Sequence, residues 1–245
     1  MIKIENVEVM GFEGAIRGMR NAMESWDKAD SGCGCNNEGN SGSNLCKNCH
    51  YKSGWCERSV NYIIGLNDLK LAQKLISAGA GSHRKFLRQI YISFDITSPI
   101  YWNKELDTYK IGTVRNSTST MHKLATTPIT NECFSFDGNL ASLFAKDDTP
   151  YDYTFCDMWE SVLNDCEQLR LTYLKTKDIR YWRVLIQLLP ESWNQMSTYS
   201  CNYEVLRTMY FDRRNHKLQE WKDFCAWIET LPYAKELITY KGDIK

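Results

Sequence analysis

The stretch Ile92-Ser93-Phe94-Asp95-Ile96-Thr97-Ser98-Pro99-Ile100-Tyr101-Trp102, running on to Asp107-Thr108-Tyr109-Lys110-Ile111-Gly112-Thr113, decides how this chain is read. Its first half mixes β-branched and aromatic residues with period-two alternation. It stops at Pro99, whose ring cannot donate to a strand ladder. A strand within 86–100 closing at Pro99 follows, with a helix over 101–109 packed beside it. The second half carries Tyr109, able to stack on a ring, and Lys110, able to meet a phosphate. It is either a pocket-lining segment or the solvated end of that helix.

A second stretch matches it in information. Leu189-Pro190 is followed twelve residues on by Asn202, eleven further by Arg213, and then by Gln219-Glu220-Trp221. On a helix, Asn202 and Arg213 lie three turns apart and share a face. They read as a ligand-facing pair or as a capping Asn and a surface Arg. His216 follows Arg213 by three and falls on the same side.

Between these landmarks the apolar periodicity places a strand over 1–12 and a helix over 14–26. A further helix, capped by Asn67-Asp68, ends at Gly79-Ala80-Gly81. Long amphipathic helices are expected over 156–176 and 203–227, with a shorter one from Asp178 to the stop at Pro190. Residues 126–151 read as an irregular connection. Asn116-Ser117-Thr118-Ser119-Thr120 is a run of hydrogen-bonding side chains, either a phosphate-binding turn or a cap before His122. Tyr181-Trp182 and Trp193 flank Leu189-Pro190 and are candidates to wall a pocket. The class is α+β, helix-rich, a single domain over 1–245.

The 245 residues are 43% hydrophobic and 24% charged, ordinary for a globular protein. Thirty basic residues balance thirty acidic ones, so no basic excess advertises nucleic-acid binding. No apolar run reaches the ~18–20 residues of a membrane span. The alternating start is not a signal peptide, which makes the expected compartment cytoplasmic. No Ser-His-Asp order, phosphate-cradling Gly loop or His-Glu-x-x-His motif occurs, which removes support for hydrolase and P-loop chemistry. His83 and His122 are acid–base candidates by type alone.

In order and spacing the two stretches resemble the flavin-dependent (alternative) thymidylate synthases, the ThyX-like proteins. The family signature is Arg-His-Arg-x-x-Ser followed by Ser-x-Arg. Here Thr108, Tyr109 and Lys110 stand at Arg-His-Arg, Thr113 and Thr118 at the two Ser positions, and Thr120 at the final Arg. Glu105 stands where a Gln is usual. Leu189-Pro190 resembles the family's Leu-Pro, and Asn202 falls on the Asn of Asn-Ala-Arg-Ser, with Glu204 on its Arg. Arg213 falls on the Arg that closes that helix, and Gln219 on the Gln of Ala-Gln-Trp-Glu. Ile186 lies near a position where the family often has another nucleotide-binding Arg. The end, Tyr240-Lys241-Gly242-Asp243-Ile244, is also similar to some members.

The resemblance implies a homotetramer that builds each site from several subunits. FAD reduced by NADPH passes a hydride, methylenetetrahydrofolate gives the methylene, and the pyrimidine nucleotide dUMP becomes dTMP. It implies Arg213 as catalytic, and Asn202, Tyr109, Lys110 and Ile111 as cofactor-binding. Glu105, Thr118, Ser119, Thr120 and Arg213 are implied as substrate-binding. The missing arginines would clamp phosphate and polarise the uracil carbonyl, work suited to fixed, permanently charged forks. Losing one such group commonly costs ~10²–10³ in rate. Either Arg84, Arg88 or Arg115 takes over, or the chain is a catalytically inactive nucleotide-binding protein that keeps the fold.

Ten cysteines complete the inventory. Cys133, Cys156, Cys166, Cys201 and Cys225 are scattered and read as small buried residues. The others cluster in a Gly/Asn-rich insertion at about 30–60, as Cys33-x-Cys35, Cys46-x-x-Cys49-His50 and Cys56. Two close-spaced pairs fit tetrahedral zinc, with Cys33, Cys35, Cys46 and Cys49 as ligands. Reduced free thiols are the other reading, and a metal would act chiefly by stapling a loop with little core.

Overall fold

The computed structural model describes residues 2–33, 62–79, 81–136 and 155–242. The chain is helix-rich α+β, with a small antiparallel sheet. Its strands are β1 (Lys3–Met10), β4 (Tyr91–Pro99), β6 (Asn194–Asn202) and β5 (Val114–Ser117), in the order β1-β4-β6-β5. A separate two-stranded pair joins β2 (Gly32–Cys33) to β3 (Tyr62–Ile63), antiparallel, with Cys33 opposite Tyr62. The chain folds as two compact units.

One unit comprises Glu5–Phe94, Tyr109–Val114 and Tyr199–Lys245. It holds helices α1 (Phe12–Gly18), α2 (Leu66–Ser77), α7 (Tyr203–Arg213) and α8 (Gln219–Ile228), and a π-helical turn, Ala234–Ile238. Its core is aromatic: Phe94 packs on Tyr199, Phe224 and Trp227, and Phe12 on Tyr62, Tyr203 and Tyr233.

Two of the expected helices are interrupted in this unit. The helix expected over 14–26 ends at Gly18, because the chain turns around the buried Arg20. Its guanidinium meets Asp68 at 2.5 Å and also donates to the Ser25 and Lys28 carbonyls. Those carbonyls then need no helical partners. The helix expected over 203–227 breaks between Arg213 and Gln219, where the Leu218 amide donates to His216 Nδ1. The Asn67-Asp68 cap is also displaced. Asp30, distant in sequence, accepts from the Asn67 and Asp68 amides, while the Asp68 carboxylate is buried against Arg20 and Ser31. Helix α2 ends as expected, with Gly79 left-handed at φ +77°.

The other unit comprises Met1–Ile4, Asp95–Thr108 and Arg115–Thr198. It holds α3 (Ile100–Leu106), α4 (Thr120–Lys123), α5 (Phe155–Thr176) and α6 (Ile179–Leu188). Helix α6 is capped by Asp178 as the sequence indicates, its side chain accepting from the Arg180 amide. Leu124, Ile129, Phe134, Cys166 and Leu185 form a small core, against which Trp159 and Trp193 pack. Strand β6 is an element that the sequence pattern does not announce.

Candidate functional site

The residue types that suggest ligand binding meet in the first unit around one tight turn. Thr113 Oγ1 donates to the Tyr109 carbonyl at 2.6 Å and closes the turn over 109–113. Gly112 is left-handed there, at φ +76°, a conformation that favours glycine. A Cβ at Gly112 would come to 3.0 Å from Asn202 Nδ2, so the turn lies directly against Asn202. Lys110 and Ile111 are thereby displayed; Ile111 is 90% exposed, unusual for an aliphatic side chain with a core nearby.

The other flank of the turn is a cation–aromatic stack. Arg213 Nε donates to Tyr109 Oη at 3.0 Å, and its guanidinium lies 5.6 Å from the Tyr109 ring centre and 5.0 Å from that of Trp221. Tyr109 and Trp221 are edge-to-face at 6.1 Å, and His216 lies edge-on to Trp221 at 6.4 Å. The Tyr109 hydroxyl donates to Asp212 at 3.3 Å. Burial raises the Tyr109 phenol above its ordinary range, and the hydrogen bond and charge of Arg213 oppose that rise.

Asn202 ends β6 and begins α7. Its Oδ1 accepts from the Val205 amide at 3.1 Å, so it caps the helix as well as facing Gly112. Two residues on, Glu204 receives Arg84 through Nε and Nη2 at 3.2 and 3.1 Å, and Arg84 Nη1 donates to the Gly79 carbonyl. This pair joins positions 120 apart in sequence, which no spacing argument could link. Arg207, also on α7, donates to the Ile238 and Tyr240 carbonyls.

The same unit contains a cleft of about 810 Å³ lined by Met19, Ala22, Leu75, His83, Lys85 and Phe86, among others. Of these, the sequence alone singles out His83. The cleft draws on separated segments, so its signal is absent from any single stretch.

The remaining expected site residues lie in the other unit. Glu105 is on α3, where its carbonyl accepts from the Thr108 amide and hydroxyl. Thr118 donates to the Met196 carbonyl through both amide and hydroxyl. Ser119 caps α4, accepting from the His122 amide, and Thr120 opens that helix. The polar run over 116–120 therefore ends a strand and caps a helix. Arg115 is paired with Asp107 at 2.9 Å. Of the expected metal ligands, Cys33 is on β2, while Cys35, Cys46 and Cys49 lie outside the described residues. Among the described residues no group of three or more His, Cys, Asp or Glu could hold a metal ion, and no helix is long and apolar enough to cross a membrane.

No family model and no curated protein matches the chain by sequence. Solved structures match it in fold. A flavin-dependent thymidylate synthase ThyX from Helicobacter pylori, complexed with FAD and dUMP, superposes with a TM-score of 0.59 at 16% identity, covering 96% of this chain and 97% of that one. A second structure of ThyX from the same organism, with FAD and dUMP, gives 0.59 at 16%, covering 98% and 100%. A UMP/dUMP methylase, PolB from Streptomyces cacaoi, bound with 5-Br dUMP, gives 0.54 at 16%, covering 99% and 96%. Each of these proteins is matched over nearly its whole length, although most residues differ. The chain thus shares the fold of the flavin-dependent thymidylate synthases.

Proposed function

We propose that this chain binds FAD and a pyrimidine ligand of the dUMP type, and that its reaction is methylation at the pyrimidine ring. The observation that carries the proposal is the assembly of Tyr109, Lys110, Ile111, Asn202 and Arg213 around one turn. Structures sharing this fold are described with FAD and dUMP bound, which supports the same ligand classes here.

The residues fit such ligands in part. The exposed Ile111 offers an apolar surface to a flat ring, and Asn202, with Gly112 packed against its amide, offers hydrogen bonding at the same place. Lys110 provides an exposed positive charge, and Arg213 a guanidinium for a ring carbonyl. The flavin, when bound, would supply the hydride. NADPH would supply the electrons and methylenetetrahydrofolate the carbon. In this reading Glu105, Thr118, Ser119 and Thr120 are the remaining substrate-binding residues.

The alternative reading is a nucleotide-binding protein without turnover. Arg213 is stacked between Tyr109 and Trp221, and Thr108, Tyr109 and Lys110 replace the family's Arg-His-Arg. Incubating the protein with FAD, NADPH, methylenetetrahydrofolate and dUMP separates the two. Formation of dTMP establishes the synthase reading. A ligand-induced rise in Tm with no dTMP establishes the second.

An oligomer and a metal site complete the proposal. Ile179, Val184 and Leu188 leave exposed apolar surface on α6, as an oligomer interface of a cytoplasmic homotetramer would. Cys33, Cys35, Cys46 and Cys49 hold zinc; metal analysis of the purified protein should give about one equivalent, the stoichiometry of one tetrahedral site. A zinc-free protein that folds normally would remove this assignment.

A further inference from the structure

We infer that Trp221 is a positioning residue of the pyrimidine site: its buried ring holds the Arg213 guanidinium against Tyr109, in the orientation that meets a ring carbonyl of the ligand. The inference rests on the proposal above that a pyrimidine binds beside Arg213, and it adds the group that orients that arginine.

Arg213 is the last residue of α7. A long side chain at a helix end has ~2 kcal/mol of rotamer entropy to lose before it can serve a ligand. Here three contacts remove that freedom in advance. Arg213 Nε donates to Tyr109 Oη at 3.0 Å. The guanidinium lies 5.6 Å from the Tyr109 ring centre and 5.0 Å from that of Trp221, both within the ~6 Å reach of a cation–π contact. The two ring centres are 6.1 Å apart, so the guanidinium sits in the corner that the edge-to-face pair makes. Because the group is planar, one bond at Nε and two ring contacts also set the direction of its terminal nitrogens, the ones that would reach a ligand.

The two rings differ in how firmly they are held. Tyr109 is half-buried on its turn, and its hydroxyl is shared with Asp212 at 3.3 Å. Trp221 is fully buried in the first turn of α8, edge-to-face with Phe224 at 5.8 Å, and Phe224 packs on Phe94 of β4 at 6.0 Å. The indole is therefore the fixed wall, continuous with the core, and a Trp face attracts a cation best among the aromatic side chains. A guanidinium set in place before the ligand arrives needs no reordering on binding, and this is how such a wall adds affinity. The resemblance places Gln-Trp-Glu at 219–221, where this chain has Gln219-Glu220-Trp221. One position along a helix is a rotation of ~100°, so the wall beside Arg213 comes from this chain's own residue order.

The test is calorimetric titration of the FAD-loaded protein with dUMP, in variants whose folding is checked by circular dichroism. Trp221→Leu, which fills space without an aromatic face, should weaken dUMP binding about tenfold, the scale of a desolvated cation–π contact. Trp221→Phe, which restores a ring face, should stay within about threefold of wild type. Lysine is a point charge with no plane to orient, so in the Arg213→Lys background Trp221→Leu should cost less than about twofold. Wild-type affinity in Trp221→Leu, or equal losses in the arginine and lysine backgrounds, makes Trp221 a core residue only and overturns this inference while the pyrimidine proposal stands. Should the leucine variant not fold, Trp221→Phe is read in the same two backgrounds: a loss near threefold with arginine that vanishes with lysine supports the inference, and equal losses overturn it. Wild-type protein that binds no dUMP overturns both.

Discussion

Gly11 shows how much a single position can fix. Its backbone takes φ +97°, and a Cβ placed on it would overlap the Gln89 carbonyl oxygen. Both the conformation and the close approach demand glycine. Gly11→Ala should therefore lower stability by about 2–4 kcal/mol, combining left-handed strain with a backbone clash that only main-chain movement relieves. Thermal unfolding measures it, and an unchanged Tm would mean that the approach of Gly11 to Gln89 is not as described. At this scale the sequence is informative about chemistry and uninformative about company. Type and spacing pick out Tyr109, Lys110, Asn202 and Arg213, and they allow Asn202 to be either a helix cap or a ligand contact. That Asn202 both caps α7 and faces Gly112 depends on a turn far earlier in the chain. Glu204 reads in the sequence as the loss of an arginine; its partner Arg84 becomes visible only once α2, its terminal Gly79 and α7 are placed.

Among elements, the clasp at the base of the Cys-rich insertion has the clearest energetic consequence. Arg20 and Asp68 are paired with side chains 5% and 0% exposed. The second carboxylate oxygen of Asp68 accepts from the Asp30 amide and from the amide and hydroxyl of Ser31. Arg20 in turn supports the bend that ends α1. Asp68→Ala would strand the Arg20 charge and the Ser31 donors together, a loss of about 3–5 kcal/mol. Chemical denaturation should show it as a large fall in midpoint, and a change below about 1 kcal/mol, the scale of an exposed pair, would contradict the buried clasp. The same clasp explains which elements are legible. Helices α2, α5 and α6 follow from apolar periodicity and local signals, because their own residues decide them. The periodicity over 14–26 overstates its helix because the break is made by Asp68, 48 positions from Arg20. Strand β6 is hidden because Asn194, Gln195, Ser197, Ser200 and Asn202 are poor strand formers. Pairing within the sheet sets its conformation, and burial of Ser197, Tyr199 and Cys201 on alternate positions is its only local trace.

For the molecule as a whole, the fold is matched more fully than the residues that resemble the family signature. At 16% identity the ThyX fold is matched over nearly the full chain, because an apolar pattern of the right volume tolerates extensive substitution. A bidentate guanidinium has no isostere, and Thr108, Tyr109 and Lys110 stand where the resemblance places Arg-His-Arg. That is why the fold and element order can be read from two short stretches, while the reaction cannot. The balanced net charge agrees with a protein whose ligand contacts are local rather than driven by a strong overall field. The central claim is the proposal that a flavin and a pyrimidine bind around the turn at Gly112. Titration of the purified protein with FAD, followed by its visible absorption, tests it most directly. Saturable uptake with a perturbed flavin spectrum, altered further by dUMP, is the expected result. A protein that stays colourless, with the spectrum of added FAD identical to that in buffer, would contradict it.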